Sequence, residues 1–279
     1  MSDDDSEEIP DGPRSVDRRT AIVSLAAVLG VAGCASDGTP GAPASSARPP
    51  TSTGSTRAAT PPPTTQAAAG SVEPAIARTP GPDIVNGPRT RSEVALTFHG
   101  AGDTSLAEQI LADCRRHDAR ITVFAVGKWL AGAPSVGRQI LAAGHELGNH
   151  TWSHQQMPGL SARVAEDEIQ RGASALRSAT GSVGWWFRPS GTPHSTATIR
   201  AAAIRSGYQR CVSYDVDPQD YLDPGSALVA SRTLERVRPG SIVSLHLGHA
   251  GTVQALPKIL AGLSAKGLAP VTLSMLLRD

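Results

Sequence analysis

The sequence predicts an α/β fold in which seven strand–helix repeats build a closed or nearly closed barrel over residues 91–279. Short apolar runs alternate with helical patterns from Val94 onward, and this alternation indicates a parallel sheet with crossover helices. All the aromatic residues lie between Phe98 and Tyr221, as expected where a core forms. Seven repeats in a segment of this length favour a barrel over an open sheet.

The first 90 residues have a different composition. Ten of the 22 prolines lie between Asp37 and Asp83, in a stretch rich in Ser, Thr, Ala and Gly that contains no aromatic residue. Such a stretch cannot bury enough apolar surface to offset its chain entropy, so we predict a disordered linker over residues 35–90. The net charge of +1 argues against a nucleic-acid surface, which needs a basic patch. We further expect the domain to be a monomer.

The N-terminal residues 1–34 resemble an export signal. Arg18 and Arg19 precede an apolar run that is too short to span a bilayer, and the run ends in VAGC. This ending resembles the bacterial lipobox. It predicts cleavage before Cys34, lipidation of Cys34 and anchoring of the exported protein on the outer face of the cytoplasmic membrane. The alternative is a buried helix that begins at Thr20.

Each element of the domain follows from a local pattern. Strands are predicted at 94–98, 121–127, 145–150, 185–190, 209–216, 241–247 and 269–273, where short runs are apolar or β-branched. Helices are predicted at 105–117, 134–144, 161–180, 195–206, 225–237 and 253–266, where apolar residues recur at helical spacing. Pro134 in a first turn and Ser161 as an N-cap support two of the helix starts.

Two cysteines lie in the predicted domain. Cys114 is on the apolar side of the first helix, and Cys211 lies within the strand pattern at 209–216. Export would permit a disulfide between them. We predict instead that both thiols are unpaired and buried.

Polar side chains cluster where the predicted strands end. The exits carry the sequences HGAGD, NHTWSH, RPSG, DVDPQD and LHLGH, each after a different strand. Active sites of βα barrels lie at the carboxyl ends of the strands, so this distribution predicts one active site built from several strands. Within it, His150 and His154 are four residues apart. On a helical turn they would share one face and bind one metal ion.

The stretch GHELGNHTWSH closely resembles the metal-binding motif of the polysaccharide deacetylases, the carbohydrate esterase family 4 with its NodB-homology domain. Four further stretches resemble motifs of that family in the same order: VALTFHGAGD, FRPSG, DVDPQDY, in which Tyr221 replaces a tryptophan, and the C-terminal segment that begins SIVSLHLGH. The resemblance covers residues 92–279. It implies a distorted TIM-like (β/α)7 barrel and a metal-dependent hydrolase that removes N-acetyl groups from amino-sugar polymers.

The resemblance also implies different roles for the histidines. His150 and His154 would bind a divalent metal, usually zinc, which lowers the pKa of a bound water so that it can attack the acetyl carbonyl. His246 would protonate the leaving amine as general acid, with a core histidine as the alternative. The implied substrate is an N-acetylated polysaccharide. Surface anchoring through a flexible linker favours peptidoglycan or a related cell-envelope polymer.

Four more residues receive roles from the same resemblance. Arg188 would position the base through its charge, and Gly191 would supply an N–H to the oxyanion. Asp217 or Asp220 would orient His246 and keep it protonated. The alternatives are a surface ion pair for Arg188 and a turn cap for the two aspartates.

The first motif departs from the family pattern. The family has two aspartates there, the catalytic base and the third metal ligand, where this chain has His99 and Gly100. In one alternative, Asp103 is the third metal ligand and His99 is the base. In another, His99 is the third metal ligand and Asp103 is the base. Asp103 could instead only cap the helix that follows it. A further possibility is a degraded site that binds glycans without cleaving them.

Overall fold

A computed structural model describes residues 81–278 of the chain. The strands are β1 (Glu93–Gly100), β2 (Thr122–Ala125), β3 (Glu146–Asn149), β4 (Ile242–His246) and β5 (Ala269–Pro270). The helices are α1 (Thr104–Arg116), α2 (Gly127–Gly132), α3 (Pro134–Ala142), α4 (Ala162–Thr180), α5 (Ala197–Arg205), α6 (Ser226–Arg236), α7 (Ala250–Ala265) and α8 (Leu273–Leu276). A single turn of 3₁₀ helix covers Asp220–Leu222.

The strands pair in parallel. Their order across the sheet is β3-β2-β1-β4, and β5 pairs with the start of β1. Isolated parallel bridges continue the arrangement from β3 through Phe187 and Cys211, and from Val216 back to Val243 of β4. The predicted fold class, an α/β parallel sheet curved into a distorted barrel, is confirmed, and the ring of regular strands is open.

The central strand β1 fixes the direction in which the first motif points. Val94, Leu96 and Phe98 are fully buried and belong to the main apolar core, together with residues of α1 and α7. Burial of a side chain of this size contributes about 1.5–3 kcal/mol. Thr97 and His99 alternate with them on the opposite face, because successive side chains of a strand point in opposite directions.

Local signals fix two helix starts where the sequence predicted them. Ser161 is the N-cap of α4 and accepts a hydrogen bond from the N–H of Val164, and Gly181 ends that helix with a left-handed C-cap. Pro134 stands in the first turn of α3. An N-cap side chain contributes about 1 kcal/mol to helix stability.

The structure differs from the prediction in two strand segments. The segments 185–190 and 209–216 contribute only isolated bridges, with Phe187 and Cys211 paired to each other. Pro189 follows Phe187 closely, and proline cannot donate a hydrogen bond to a strand ladder. The short helices α2 and α8 were not predicted, because six or fewer residues carry too little helical periodicity to detect.

The folded domain begins before residue 91. Ile84 pairs with Val212, and the side chain of Asp83 accepts a hydrogen bond from the N–H of Ser195 at 2.7 Å. Residues that composition assigns to the linker therefore dock on the domain. Backbone pairing of this kind leaves no compositional signal.

Residues 1–80, which include the predicted signal segment, Cys34 and most of the predicted linker, lie outside the described part of the chain. Within that part, no helix is both long and apolar enough to cross a membrane. Cys114 and Cys211 are buried and unpaired, which confirms the prediction for these two thiols. Burial raises the pKa of each thiol to about 12.

Candidate active site

The carboxyl ends of the strands bring histidines from distant parts of the sequence together. His99 lies near the end of β1, His150 directly follows β3, and His246 ends β4. In the register of β1 with β4, His99 is the partner of His246, so the two side chains leave the sheet on the same face. The ring centroid of His99 lies 4.3 Å from that of His246 and 4.4 Å from that of His150.

Two of these histidines, His99 and His150, have the spacing of a metal site together with His154. One ring nitrogen from each of His99, His150 and His154 lies within 4.8 Å of the other two. The ring centroids of His150 and His154 are 4.9 Å apart. Three imidazoles with a fourth position left open form the ligand set of His₃ zinc enzymes. The arrangement matches the alternative in which His99 is the third ligand.

His150 is held firmly in the orientation of a ligand. It is fully buried, and its Nδ1 lies 2.8 Å from the carbonyl oxygen of Arg188, so Nδ1 carries the proton and donates it. Its Nε2 then holds a lone pair and has no hydrogen-bond partner among the described residues. Burial lowers the pKa of His150 well below its usual value, and His154 acts in the same direction. A neutral imidazole with a free nitrogen is the form that binds a metal.

His99 presents the same chemistry through its other nitrogen. Its Nε2 lies 3.1 Å from Oγ of Ser244 and 3.4 Å from Nη1 of Arg188. Its Nδ1 is buried and has no hydrogen-bond partner within residues 81–278. Burial lowers the pKa of His99 well below its usual value, and the neighbouring His150 and His246 lower it further. The guanidinium of Arg188 can only donate, so its contact uses the lone pair of Nε2 and places the proton on Nδ1. In the other tautomer Nε2–H donates to Ser244, and Nδ1 offers its lone pair to an ion.

The segment that carries His150 and His154 is an irregular loop, so the prediction of a helical turn is wrong. Thr151 and His154 both have positive φ angles, 67° and 62°. Side-chain hydrogen bonds hold this turn: the N–H of Thr151 donates to Oδ1 of Asn149 at 2.9 Å, and the N–H of His154 donates to Oγ1 of Thr151 at 3.2 Å. Such backbone strain, of order 1–3 kcal/mol per residue, is common at functional sites.

Arg188 places a buried positive charge beside His99. Its Nε and Nη2 donate to the carbonyl oxygens of Val212 and Ser213, at 3.2 and 2.9 Å. Its guanidinium carbon lies 4.3 Å from the centroid of the Phe124 ring. The surface ion pair considered from the sequence is excluded, because Arg188 is only 1% exposed. Burial lowers the pKa of Arg188 to about 9, so the side chain stays charged at neutral pH.

Asp220, and not Asp217, holds His246. Oδ1 of Asp220 lies 2.7 Å from Nδ1 of His246, and Oδ2 accepts hydrogen bonds from the backbone N–H of His246 and from Oγ1 of Thr252. A buried carboxylate on Nδ1 fixes the tautomer and stabilises the charged ring, which leaves Nε2 to carry the transferable proton. Asp217 accepts a hydrogen bond from the N–H of Gln219 instead. The orienting role that the sequence left open between the two aspartates therefore belongs to Asp220.

Asp103 lies outside the histidine group. It is the exposed N-cap of α1, and its Oδ1 accepts a hydrogen bond from the N–H of Ser105 at 2.9 Å. Of the roles considered for Asp103, the helix cap is the one that the structure shows. The metal-ligand group forms without it, from His99 and the two histidines of the loop.

Gly100 has no room for the aspartate that the family places at this position. A Cβ atom there would lie 2.9 Å from the side chain of Val123, 3.0 Å from Cα of Ala125 and 3.1 Å from the side chain of Trp129. A side chain at position 100 would also point away from His99, because neighbours on a strand face opposite sides. A carboxylate at this position would require a rearrangement of the backbone.

His99, His154 and His246 open into a pocket of about 290 Å³. The pocket is lined by His99, His154, Gln156, Pro189, Gly191, Thr192, Pro193, Tyr214, Asp217, Tyr221, Ser244 and His246. Gly191 has a positive φ of 70°, and its N–H donates no hydrogen bond within the described chain. The ring of Tyr221 lies 5.3 Å from that of His246, centroid to centroid. Polar groups facing aromatic and proline walls suit a sugar ring that carries an amide.

A divalent ion fits the three-histidine group. Nδ1 of His99 and Nε2 of His150 are buried and unpaired among residues 81–278, and an unpaired buried polar atom costs about 1–3 kcal/mol. An ion bound to both nitrogens removes this cost. Burial lowers the pKa of His99, His150 and His154, so the ion does not compete with protons at neutral pH.

The sequence reasoning missed two residues that support the site. Ser244 contacts Nε2 of His99, and its signal is its position two residues before His246 on the same face of β4. Thr252, in the first turn of α7, donates a hydrogen bond from its hydroxyl to Oδ2 of Asp220. No pattern in the sequence marks Thr252, since its contact depends on how α7 packs.

These features define a class of protein: an α/β-barrel hydrolase that activates water at a metal site built on the ends of parallel strands. A family model described as polysaccharide deacetylase matches residues 86–211. A peptidoglycan-N-acetylglucosamine deacetylase from Bacillus cereus is 32% identical over 201 residues, which cover 68% of this chain and 91% of the relative. The chain belongs to the polysaccharide deacetylase family, CE4.

Solved structures of the family share the fold. A peptidoglycan N-acetylglucosamine deacetylase superposes with a TM-score of 0.65 and 27% identity, over 70% of this chain and 92% of the other. A CE4-family pseudoenzyme from Bacillus anthracis superposes with a TM-score of 0.67 and 25% identity, over 72% of this chain and 71% of the other. Because an enzyme and a pseudoenzyme have this fold, the geometry of the site has to carry any argument about activity.

Proposed function

We propose that the protein is a metal-dependent deacetylase that removes N-acetyl groups from the amino sugars of peptidoglycan or a related cell-envelope polysaccharide. The observation that carries this proposal is the placement of the three-histidine group and the Asp220-bound His246 at one pocket. Amide hydrolysis needs an activated water and an acid for the leaving amine. Relatives named as peptidoglycan-N-acetylglucosamine deacetylases support the choice of substrate.

The ion that we propose for the site is zinc. Three neutral imidazoles suit zinc, which favours four-coordinate sites and leaves one position open in enzymes. When bound, the ion supplies Lewis acidity that polarises the acetyl carbonyl and activates water. His99, His150 and His154 would hold it, His99 through its unpaired Nδ1 and His150 through its unpaired Nε2. Burial and the neighbouring histidines lower the pKa of His99, and the charge of Arg188 lowers it further.

The remaining groups act on the substrate. Nε2 of His246 donates its proton to the amide nitrogen as the carbon–nitrogen bond breaks, and Asp220 stabilises the charged ring before that transfer. The N–H of Gly191 is a free donor at the pocket and stabilises the negative charge that develops on the acetyl oxygen. Tyr221 offers an aromatic face beside His246 to the sugar ring.

We also propose that the domain works outside the cytoplasmic membrane as a lipid-anchored protein. The support is the sequence VAGC at the end of an apolar run, followed by a proline-rich stretch. In this proposal residues 1–34 are a signal segment, Cys34 carries the lipid, and the linker lets the domain reach a polymer fixed in the wall. Replacement of Cys34 by alanine is expected to release the protein from membranes. Unchanged detergent-dependent membrane association would contradict lipidation at this residue.

The test of the activity is acetate release from N-acetylated peptidoglycan and from chitin oligomers. Protein stripped with a chelator is expected to be inactive, and reloading with zinc or cobalt is expected to restore release. His246→Gln is expected to lose about 10²–10⁴-fold in rate while it retains the ion, because the leaving amine loses its acid.

His249→Gln is the matched control. His249 also contacts an aspartate, with Nδ1 2.9 Å from Oδ1 of Asp223, but it does not line the pocket. The rate of acetate release by the His249→Gln variant is expected to stay close to that of the unmodified protein. Absence of acetate release from both polymers by folded, metal-loaded protein would contradict the proposed activity.

A non-catalytic glycan-binding role is the second candidate. It is favoured by the replacement of the family's two aspartates with His99 and Gly100. This role predicts that the protein sediments with peptidoglycan and releases no acetate. The same assay therefore separates the two candidates.

A further inference from the structure

The carboxylates of Asp103, Asp217 and Asp220 follow strand segments, and they differ in what they contact. Asp103 caps α1 on the surface. Asp220 is buried, and both of its oxygens are engaged by His246 and Thr252. Among the residues that line the pocket, the one carboxylate in the described chain is that of Asp217. Neither Asp103 nor Asp220 is therefore free to accept a proton in the pocket.

His150 and His99 have no spare acceptor either when each directs its lone pair to an ion. Nδ1–H of His150 donates to the carbonyl of Arg188, so its single lone pair is on Nε2. In His99 the tautomer that binds an ion has its lone pair on Nδ1 and its Nε2–H donating to Ser244, and in this tautomer Nη1 of Arg188 does not donate to Nε2. With both lone pairs directed to the ion, the histidine that replaces the family's base is no longer available as a base.

We propose that Asp217 is the general base of this deacetylase. The inference rests on the proposed function and names the residue that takes the role lost at position 99. Its position supports the role: Val216, the preceding residue, is bridged to Val243 of β4, and Asp217 follows where this bridged segment ends. Asp217 shares the pocket lining with His99 and His246.

The contacts of Asp217 leave one oxygen available. Oδ1 accepts a hydrogen bond from the N–H of Gln219 at 2.8 Å, and Oδ2 has no hydrogen-bond partner in residues 81–278. Its charge also acts on Arg188. Burial lowers the pKa of this guanidinium, and Tyr214 and Asp217 both raise it. A carboxylate with one anchored and one free oxygen is oriented and still able to take a proton.

The chemical step balances with the groups present. Oδ2 of Asp217 takes one proton of the attacking water as the water oxygen bonds to the acetyl carbon. The carbon–nitrogen bond then breaks as Nε2 of His246 gives its proton to the nitrogen. Acetic acid and a free amine leave, and the acid loses its remaining proton to solvent as acetate. Asp217 returns its proton to solvent, and His246 takes one up.

The experiment compares Asp217→Asn with Asp103→Asn in the full chain. Both variants remove one negative charge without changing size, and only the first lies in the pocket. Asp217→Asn is expected to lose about 10²–10⁴-fold in kcat, whereas Asp103→Asn keeps most of the rate. Cobalt affinity of the metal-free protein, measured by calorimetry, is expected to be unchanged in both, because neither residue is a ligand.

A second variant, Asp217→Ala, tests whether Asp217 acts as a base or only supports the structure. Asp217→Ala is expected to regain part of its lost rate when formate is added, since a small carboxylate can occupy the vacated space. A folded Asp217→Asn variant with the kcat of the unmodified protein would overturn the inference, as would failure of formate to raise the rate of Asp217→Ala. Inactive unmodified protein would contradict the proposed function itself, so the two failures are distinguishable.

Discussion

Strand β3 has a buried histidine beside each of its ends, His145 before it and His150 after it. Both rings have an Nε2 without a hydrogen-bond partner among the described residues. Burial lowers both pKa values, that of His145 to about 4. At the amino end, the only hydrogen bond of the His145 ring in residues 81–278 is from the N–H of Ile121 to Nδ1, at 3.3 Å. At the carboxyl end, His150 meets two other histidines.

The comparison shows that burial and a free nitrogen do not make a metal site. His145 and His150 have both features, and they differ in what the topology brings to them. Parallel strands collect their exit loops at one edge, so His150 meets residues from β1 and from its own loop. The amino edge collects no comparable set around His145 within the described chain. The metal site is therefore defined by several histidines that meet at one edge of the sheet, and not by the burial or the free nitrogen of a single ring.

The largest expected effect comes from removing the histidine at the carboxyl end. His150→Gln should weaken zinc binding by more than about 100-fold, because the ion loses a direct ligand and even indirect partners are worth 10–100-fold. His145→Gln removes a buried histidine from the other end of the same strand and should leave zinc affinity unchanged. Calorimetric titration of the two metal-free variants makes the comparison. Equal affinity losses in both would show that the ends of β3 do not differ as described.

A smaller effect is expected from filling the space behind His99. Gly100→Ala places a Cβ atom 2.9–3.1 Å from three neighbours, two of which belong to β2. Overpacking of this kind costs typically about 1–3 kcal/mol of the free energy of unfolding. Gly251→Ala in α7 is the control, since nothing lies within 4 Å of its added Cβ, and it should not destabilise the protein. Urea unfolding measures both; equal stability of the Gly100→Ala and unmodified proteins would contradict the tight contact.

The smallest expected effect is the pH dependence contributed by His145. Its pKa is about 4 in the folded chain and near 6.5 when unfolded, so the unfolded state takes up the proton first as the pH falls. The stability that this ring contributes is complete above pH 6.5 and is lost as the pH falls towards 4, by at most about 1.4 kcal/mol per pH unit.

His145→Gln should make the free energy of unfolding less dependent on pH in that window. Urea unfolding at pH 7 and pH 5 tests this, with the unmodified protein alongside. The same slope in both proteins would show that His145 does not titrate in this range during unfolding.

The sequence predicted most of the fold because its signals are local. The alternation of apolar runs and helical patterns located β1, α1, α4 and β4, and the cap at Ser161 set a boundary. The segments around Phe187 and Cys211 were overpredicted as strands, since single bridges and regular strands have the same apolar pattern. The docking of Ile84 was missed because it depends on a partner more than a hundred residues away.

The sequence predicted which residues form the candidate site, but it did not predict how they contact one another. Strand exits identified His99, His150, Arg188 and His246, which the structure brings together. The partner of His246 could not be chosen between two aspartates three residues apart, since that choice depends on a turn of 3₁₀ helix at Asp220. The positive φ angles that shape the histidine loop also leave no mark in a sequence of ordinary residues.

We propose that His99 is a metal ligand at the position where the family has its base. The direct measurement is the cobalt affinity of metal-free His99→Ala, read from the visible absorption of the bound ion, with circular dichroism to show that the variant is folded. The account predicts a loss of more than about 100-fold in affinity relative to the unmodified protein. A folded variant that binds cobalt with unchanged affinity and an unchanged spectrum would contradict it.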